Sequence, residues 1–99
     1  MRIITEQSTT AFLNRRKFKK ANTEVIESGG KFYLRLHGNT IAILDPDNTL
    51  MITNAGWQSN TTKERLNGLD GVSIQQKNFA WFLNGNEWDG NLIEVKLKK

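Results

Sequence analysis

Hydrophobic and polar positions change rhythm along this chain, and the changes mark its elements. From Asn22 onward the spacing is two. Lys31–His37 alternates, with Phe32, Leu34 and Leu36 on one side and Tyr33, Arg35 and His37 on the other, the pattern of a half-buried strand. Thr23–Ser28 precedes it across Gly29-Gly30, a hairpin signal. Gly38-Asn39 is a second turn, and Thr40–Leu44 is a strand too apolar to assign to one face. Asp45-Pro46-Asp47-Asn48 is the clearest turn, because proline presets φ while Asp and Asn bond their own backbone. Thr49–Asn54 follows as a fourth strand. Strands joined by such short turns pair antiparallel, since a parallel partner needs a long crossover. The stretch therefore predicts a meander.

Helical patterns flank that meander. Ser8-Thr9-Thr10 offers N-cap residues ahead of Ala11–Phe18, and cations in the last turn complement a helix dipole. A short helix is expected near residues 9–18, anchored by Phe12 and Phe18, with Arg2–Thr5 as a short edge strand or ordered arm. Downstream, Thr61 with Glu64 three residues later has the form of a capping box. Leu66 and Leu69 give that helix an apolar edge, and Gly68 or Gly71 ends it. Val72–Lys77 alternates again, Phe79–Leu83 is a dense aromatic strand, and Asn84–Asn91 is a polar turn carrying Trp88. Leu92–Lys98 closes the chain with Ile93, Val95 and Leu97 inward. The expected order is α-ββββ-α-βββ, an α+β fold with a mainly antiparallel sheet and two short helices. With 99 residues, a single domain over 1–99 is expected.

Composition narrows the class. At 37% hydrophobic residues the chain is too apolar for a disordered tail. The absence of cysteine removes disulfides, thiolate metal sites and cysteine nucleophiles together, which favours a reducing compartment. No apolar run approaches the ~18–20 residues of a membrane span, and no signal-peptide core is present, so no membrane partner is expected.

Charge changes the picture more. The formal +4 is unevenly spread. Residues 1–20 carry six cations against Glu6, residues 21–95 carry five against nine carboxylates, and Lys96, Lys98 and Lys99 end the chain. The body is acidic and both ends are basic, unlike a uniformly basic nucleic-acid domain.

Several separate segments then carry a resemblance. Asn22-Thr23-Glu24-Val25, Leu36-His37-Gly38-Asn39-Thr40-Ile41-Ala42, and Gly56-Trp57 with Thr61-Thr62-Lys63-Glu64-Arg65-Leu66-Asn67 together read NTxV…LHGNxIA…GWxTxTTKxRLN, followed by Gln76-Lys77. This composite resembles a group of small proteins encoded by tailed bacteriophages. It departs at Ser59-Asn60, where a Thr-containing tripeptide is expected. The resemblance implies a phage origin and a host-cytoplasmic setting. It carries no activity with it.

Candidate chemistry is sparse. Arg15, Arg16, Lys17, Lys19 and Lys20 surround Phe18, which suits phosphate contacts as well as a solvated helix end. Lys96, Lys98 and Lys99 would join them if the last strand lies near the first helix. Thr61, Thr62, Lys63 and Arg65 at a helix N-terminus could receive an anion, although capping would occupy the same amides. His37, the single histidine, could act as a base with Arg35 as an anion clamp, or could bond a turn backbone. Asp45 with Asp47 and Glu87 with Asp89 read as turn carboxylates, and no metal-ligand spacing or cofactor fingerprint is present. Among Tyr33, Trp57, Phe79, Trp81, Phe82 and Trp88, any aromatic left exposed would mark a binding surface.

Three functions remain from these residues. The first is a non-enzymatic phage accessory protein binding nucleic acid through a basic patch. The second is an antagonist of a host defence protein, and the third a compact ribonuclease-like enzyme using His37 and Arg35.

Overall fold

The meander forms as its alternation predicts in the computed structural model, which describes residues 2–96. Strands β2 (Thr23–Ser28), β3 (Lys31–Leu36), β4 (Asn39–Leu44) and β5 (Leu50–Ile52) pair in sequence, all antiparallel. A three-residue strand β1 (Phe18–Lys20) extends this sheet beside β2, and the last strand, β9 (Ile93–Val95), closes it beside β5. The order across the six strands is β1-β2-β3-β4-β5-β9. A separate three-stranded sheet holds β6 (Ile74–Lys77), β7 (Ala80–Leu83) and β8 (Asn86–Trp88). Strand β8 lies within the expected polar turn, where Asn84-Gly85 makes a tight reversal with positive φ at both residues. The fold is α+β with mainly antiparallel sheets, and one apolar core joins both sheets to both helices.

The apolar strand β4 has a specific explanation. Its register against β3 shifts between Leu34 and Arg35, so that Leu34 pairs with Ala42 and Arg35 with Thr40. Ile41 is the extra residue of this bulge, and Ile41 and Ala42 are both fully buried in succession. Two adjacent inward residues break the alternation.

Helix α1 spans Ile3–Leu13, not residues 9–18, and Arg2–Thr5 is its start rather than a strand or arm. Its buried residues are Thr5, Ser8, Thr9, Ala11 and Phe12, at helical spacing but mostly hydroxylic. Ser8 and Thr9 hydroxyls donate to the Thr5 carbonyl at 3.2 and 2.8 Å, which lets these polar side chains be buried. The helix ends in a Schellman arrangement. The Arg16 N–H donates to the Ala11 carbonyl and the Arg15 N–H to the Phe12 carbonyl, with Arg15 at φ 57° in the left-handed position. The basic run is therefore turn and strand, not helix.

Helix α2 spans Asn60–Asn67 and is capped by Ser59, whose hydroxyl accepts the Thr62 N–H at 3.1 Å. Thr61 is not the cap, and Glu64 does not close a box. Instead Glu64 reaches α1, accepting from the Arg2 backbone N–H (3.3 Å), Arg2 Nε (3.1 Å) and Thr5 Oγ1 (3.0 Å). Its neighbour Arg65 is only 1% exposed and donates to Thr23 Oγ1 on β2, Thr5 Oγ1 on α1 and Glu64 Oε1, at 3.0, 2.6 and 2.9 Å. One guanidinium thus ties α1, α2 and the large sheet together.

In the small sheet, Trp81 is buried and lies 6.2 Å from Trp88 at a 41° tilt. Trp88 Nε1 donates to the Asn91 carbonyl, while Trp81 Nε1 has no hydrogen-bond partner among the described residues.

Two predictions follow from the helix contact. At Gly68 a Cβ would lie 2.8 Å from the Thr5 and Thr9 methyls, so the helices approach only because the residue is glycine. Gly68→Ala should destabilise the protein by about 1–3 kcal/mol in urea unfolding, the usual cost of overpacking. The Glu64 carboxyl is pushed up by burial, but hydrogen bonds from Arg2 and Thr5 outweigh this and hold it below its ordinary 4.5. Its contribution to stability is present above that ordinary value and lost as pH falls through the lowered one. Melting temperatures scanned from pH 7 to 3 should fall on acidification, and Glu64→Gln should start lower and fall less.

Candidate nucleic-acid interface

The basic run is divided by the fold. Arg15 Nη2 donates to the Asp45 carbonyl at 2.7 Å and to Asn48 Oδ1 at 2.8 Å, so this side chain locks the β4–β5 turn. Arg16 and Lys17 are exposed beside a groove between α1 and β1, lined also by Glu6, Gln7 and Thr10. Lys19 and Lys20 are exposed on β1, with Lys19 directly opposite Glu24 and Lys20 opposite Thr23. Arg16, Lys17, Lys19 and Lys20 thus follow one edge of the sheet.

Lys96 does not join them. It follows β9 at the opposite edge, five strand spacings of about 4.8 Å from β1 along the sheet. The reason is that β9 pairs with β5, not with β1. Lys98 and Lys99, like Leu97, lie outside the described residues.

Thr61, Thr62, Lys63 and Arg65 do not make a common anion site. The Thr62 amide is taken by the Ser59 cap, and Thr62 itself is buried. Arg65 points into the core, where burial and the nearby Arg2 charge lower its pKa. Lys63 Nζ reaches Gln76 Oε1 at 3.4 Å.

Asp47 and Asp89 behave as turn residues, whereas Glu87 is not in a turn but on β8, opposite Phe82. Asp47 Oδ1 accepts the Thr49 N–H at 3.0 Å, and that bond lowers its pKa. Asp89 accepts both the backbone and the side-chain amide of Asn91. Among the described residues no group of His, Asp and Glu is arranged to hold a metal ion.

His37 sits at φ 53° in the two-residue β3–β4 turn with Gly38. Its Nε2 lies 3.3 Å from Asn22 Nδ2, a contact in which the ring nitrogen accepts. Arg35 is occupied beside it: Nη2 donates to the Gly38 carbonyl at 2.7 Å, and Nη1 lies 3.6 Å from Glu24 Oε1. Arg35 holds the turn rather than facing an open site.

The exposed aromatics are Trp57 and Phe79, 63% and 92% accessible. Phe79 occupies the second position of the two-residue β6–β7 turn at φ 67°, after Asn78 at 53°, where glycine is the usual occupant. Trp57 is set by a firm loop. Its N–H donates to the Asn54 carbonyl, and Asn54 Oδ1 accepts the Gly56 N–H, both at 2.8 Å. Asn54 is itself buried, its N–H bonded to the Gly90 carbonyl, and any side chain at Gly90 would collide with it.

Trp57 borders a mainly apolar hollow of about 80 Å³, floored by Leu36, Ile41 and Ala55 and rimmed by His37, Asn39 and Ser59. His37 also borders a second hollow, about 130 Å³, that runs past Asn22 to Lys19. The segments that carry the phage resemblance (Asn22-Thr23, Leu36–Ile41, Trp57 and Thr62) meet around these two hollows. Trp57 and His37 are each conspicuous in the sequence, but no local signal brings them together.

Truncating the pinned arginine should separate it from its neighbours. Arg15→Ala should lose about 1–2 kcal/mol in urea unfolding, since two hydrogen bonds go. Arg16→Ala and Lys17→Ala should stay within about 0.5 kcal/mol of the parent.

Among the described residues no helix is long and apolar enough to cross a membrane. Comparison with curated proteins and with solved structures gives no match. A family model does match, over residues 1–96, and its description is Kyanoviridae Gp96 protein. The chain belongs to that phage family.

Proposed function

We propose that this small phage protein is a non-enzymatic nucleic-acid-binding protein of the host cytoplasm, contacting phosphates along β1. The observation that carries this reading is the row Arg16, Lys17, Lys19 and Lys20, exposed along one sheet edge. Lysine-rich edges also discourage pairing with other strands, so the row needs a test of its own. Two features support the ligand reading. Lys19 on β1 borders the hollow at His37, and Glu24 on that hollow is already engaged by Arg35. The engagement of His37 by Asn22 and of Arg35 by Gly38 favours binding over catalysis at this turn.

The test is fluorescence anisotropy with labelled oligonucleotides across a salt series. Affinity should fall linearly on a log–log plot, and Lys19→Glu with Lys20→Glu should abolish most of it. With single strands the slope should drop by about 0.7 for each phosphate contact removed. Salt-independent affinity, or full affinity in the double variant, would overturn the proposal.

A protein partner is the second reading, favoured by Phe79. A wholly exposed aromatic held at positive φ costs about 1 kcal/mol or more and gives nothing to the core. Retention of one host protein in a nuclease-treated, high-salt pull-down, lost with Phe79→Asn, would favour that reading.

A further inference from the structure

The two outer strands of the large sheet differ in how they are protected. An edge strand turns unpaired N–H and C=O groups outward, and lysines along it discourage another strand from pairing there. β1 carries that protection in Lys19 and Lys20, while β9 is Ile93-Glu94-Val95. We infer that β9 is a self-association edge, at which a second copy of this chain pairs antiparallel about a two-fold axis at Val95. The surface is the opposite sheet edge from the basic row, so the pairing does not depend on nucleic-acid binding.

The phase of the hydrogen bonds decides which groups face outward. The Asp45 N–H donates to the Thr49 carbonyl and the Thr53 N–H to the Ile41 carbonyl, so residues 49, 51 and 53 bond toward β4. Leu50 and Ile52 therefore bond toward β9, to their partners Val95 and Ile93. Glu94 is left with its N–H and C=O turned out of the sheet, and no hydrogen bond among the described residues uses them.

Charge then chooses the register and the occupant. Antiparallel strands share bonds only where outward-facing residues stand opposite each other. With Val95 opposite Val95, Glu94 of each copy lies opposite Lys96 of the other, two favourable pairs. With Glu94 opposite Glu94, like charges meet on the axis. At β1 the bond from the His37 N–H to the Asn22 carbonyl sets Lys19 outward by the same reasoning. Self-pairing there brings Lys19 onto Lys19 or Lys17. The basic edge repels its own copy, and the β9 edge attracts one.

Room and apolar surface are also present. Leu92 and Ile93 are 54% and 40% exposed, the only sequence neighbours among the large exposed hydrophobics of the described residues. Beside β9 runs a groove of about 410 Å³, with Ile93–Lys96 on one side and Leu83, Asn86, Glu87 and Trp88 on the other. An incoming β9 would bring its Val95 to the side of Leu83 and Trp88, and its Lys96 into a groove that already holds Glu87 and Glu94. Because β9 is three residues long, the contact is small and the dimer reversible, its population set by concentration.

The experiment is sedimentation equilibrium of the full chain over a concentration series. The weight-average mass should rise from one chain toward two and stop there. Glu94→Lys alone and Lys96→Glu alone each oppose like charges at both crossings, and should weaken the dimer about tenfold or more. Mixing these two variants restores opposite charges at both crossings, so the mixture should dimerise like the parent. The double exchange, Glu94→Lys with Lys96→Glu, should do the same. Both side chains are exposed, so every variant should melt like the parent protein.

A single-chain mass at every concentration overturns the proposal. So does a dimer that both single variants leave intact, because another surface then forms it. Loss in the single variants without rescue in the mixture or the double exchange rejects the pairing at Val95. Growth beyond two copies rejects it as well, since β9 joined to β1 would propagate into an open filament. Each of these results leaves the phosphate reading at β1 standing.

Discussion

A buried guanidinium holds this fold together. Arg65 lies in the core, where an unpaired charge would cost several kcal/mol, so its partners must be in place whenever the protein is folded. Those partners sit on three elements: Thr5 on α1, Thr23 on β2 and Glu64 on α2 itself. Their demands explain features that otherwise look unrelated. α1 carries hydroxyls on its inner face, Gly68 lets α2 come close to Thr5 and Thr9, and Glu64 turns away from its own helix cap toward Arg2. The geometry of one side chain places both helices on the sheet.

That constraint also decides what can be seen in the sequence. Period-two alternation and Gly-Gly, Asp-Pro and Gly-Asn signals reveal β2 to β5, because those strands obey local rules with short turns. The first half of α1 stays hidden, since its inner residues are hydroxylic and look like caps or an edge strand. Thr5, Ser8 and Thr9 are spaced as a helix face should be, but their burial depends on Arg65 and Gly68, which lie some sixty positions away. The same non-local dependence turns an apparent anion-binding arginine into a core residue. β1 is concealed for another reason: three residues, Phe18-Lys19-Lys20, are too few to show a periodicity of their own.

The candidate site is legible only in parts. The basic run, His37 and Trp57 all stand out individually, and so does the possibility of an exposed aromatic. Their arrangement does not. Arg15 leaves the basic group for the β4–β5 turn, Lys96 is carried to the far edge by the pairing of β9 with β5, and the β3–β4 turn comes to face the loop holding Trp57. Among the described residues, Arg16, Lys17, Lys19 and Lys20 therefore follow one sheet edge, away from Lys96, and Lys19 on that edge borders the hollow at His37.

The position of β9 has a consequence for how the chain assembles. Within each sheet every other strand pair is formed by sequence neighbours, whereas β9 meets β5 only after α2 and the whole small sheet have intervened. Closing that loop of about forty residues carries an entropic cost that local hairpins do not. The meander can thus collapse early, with β9 docking as a late event that sets Val95 beside Leu50 and Ile93 beside Ile52. Weakening Val95 would then act chiefly on the unfolding rate, so the last strand works as a kinetic latch on a sheet already formed.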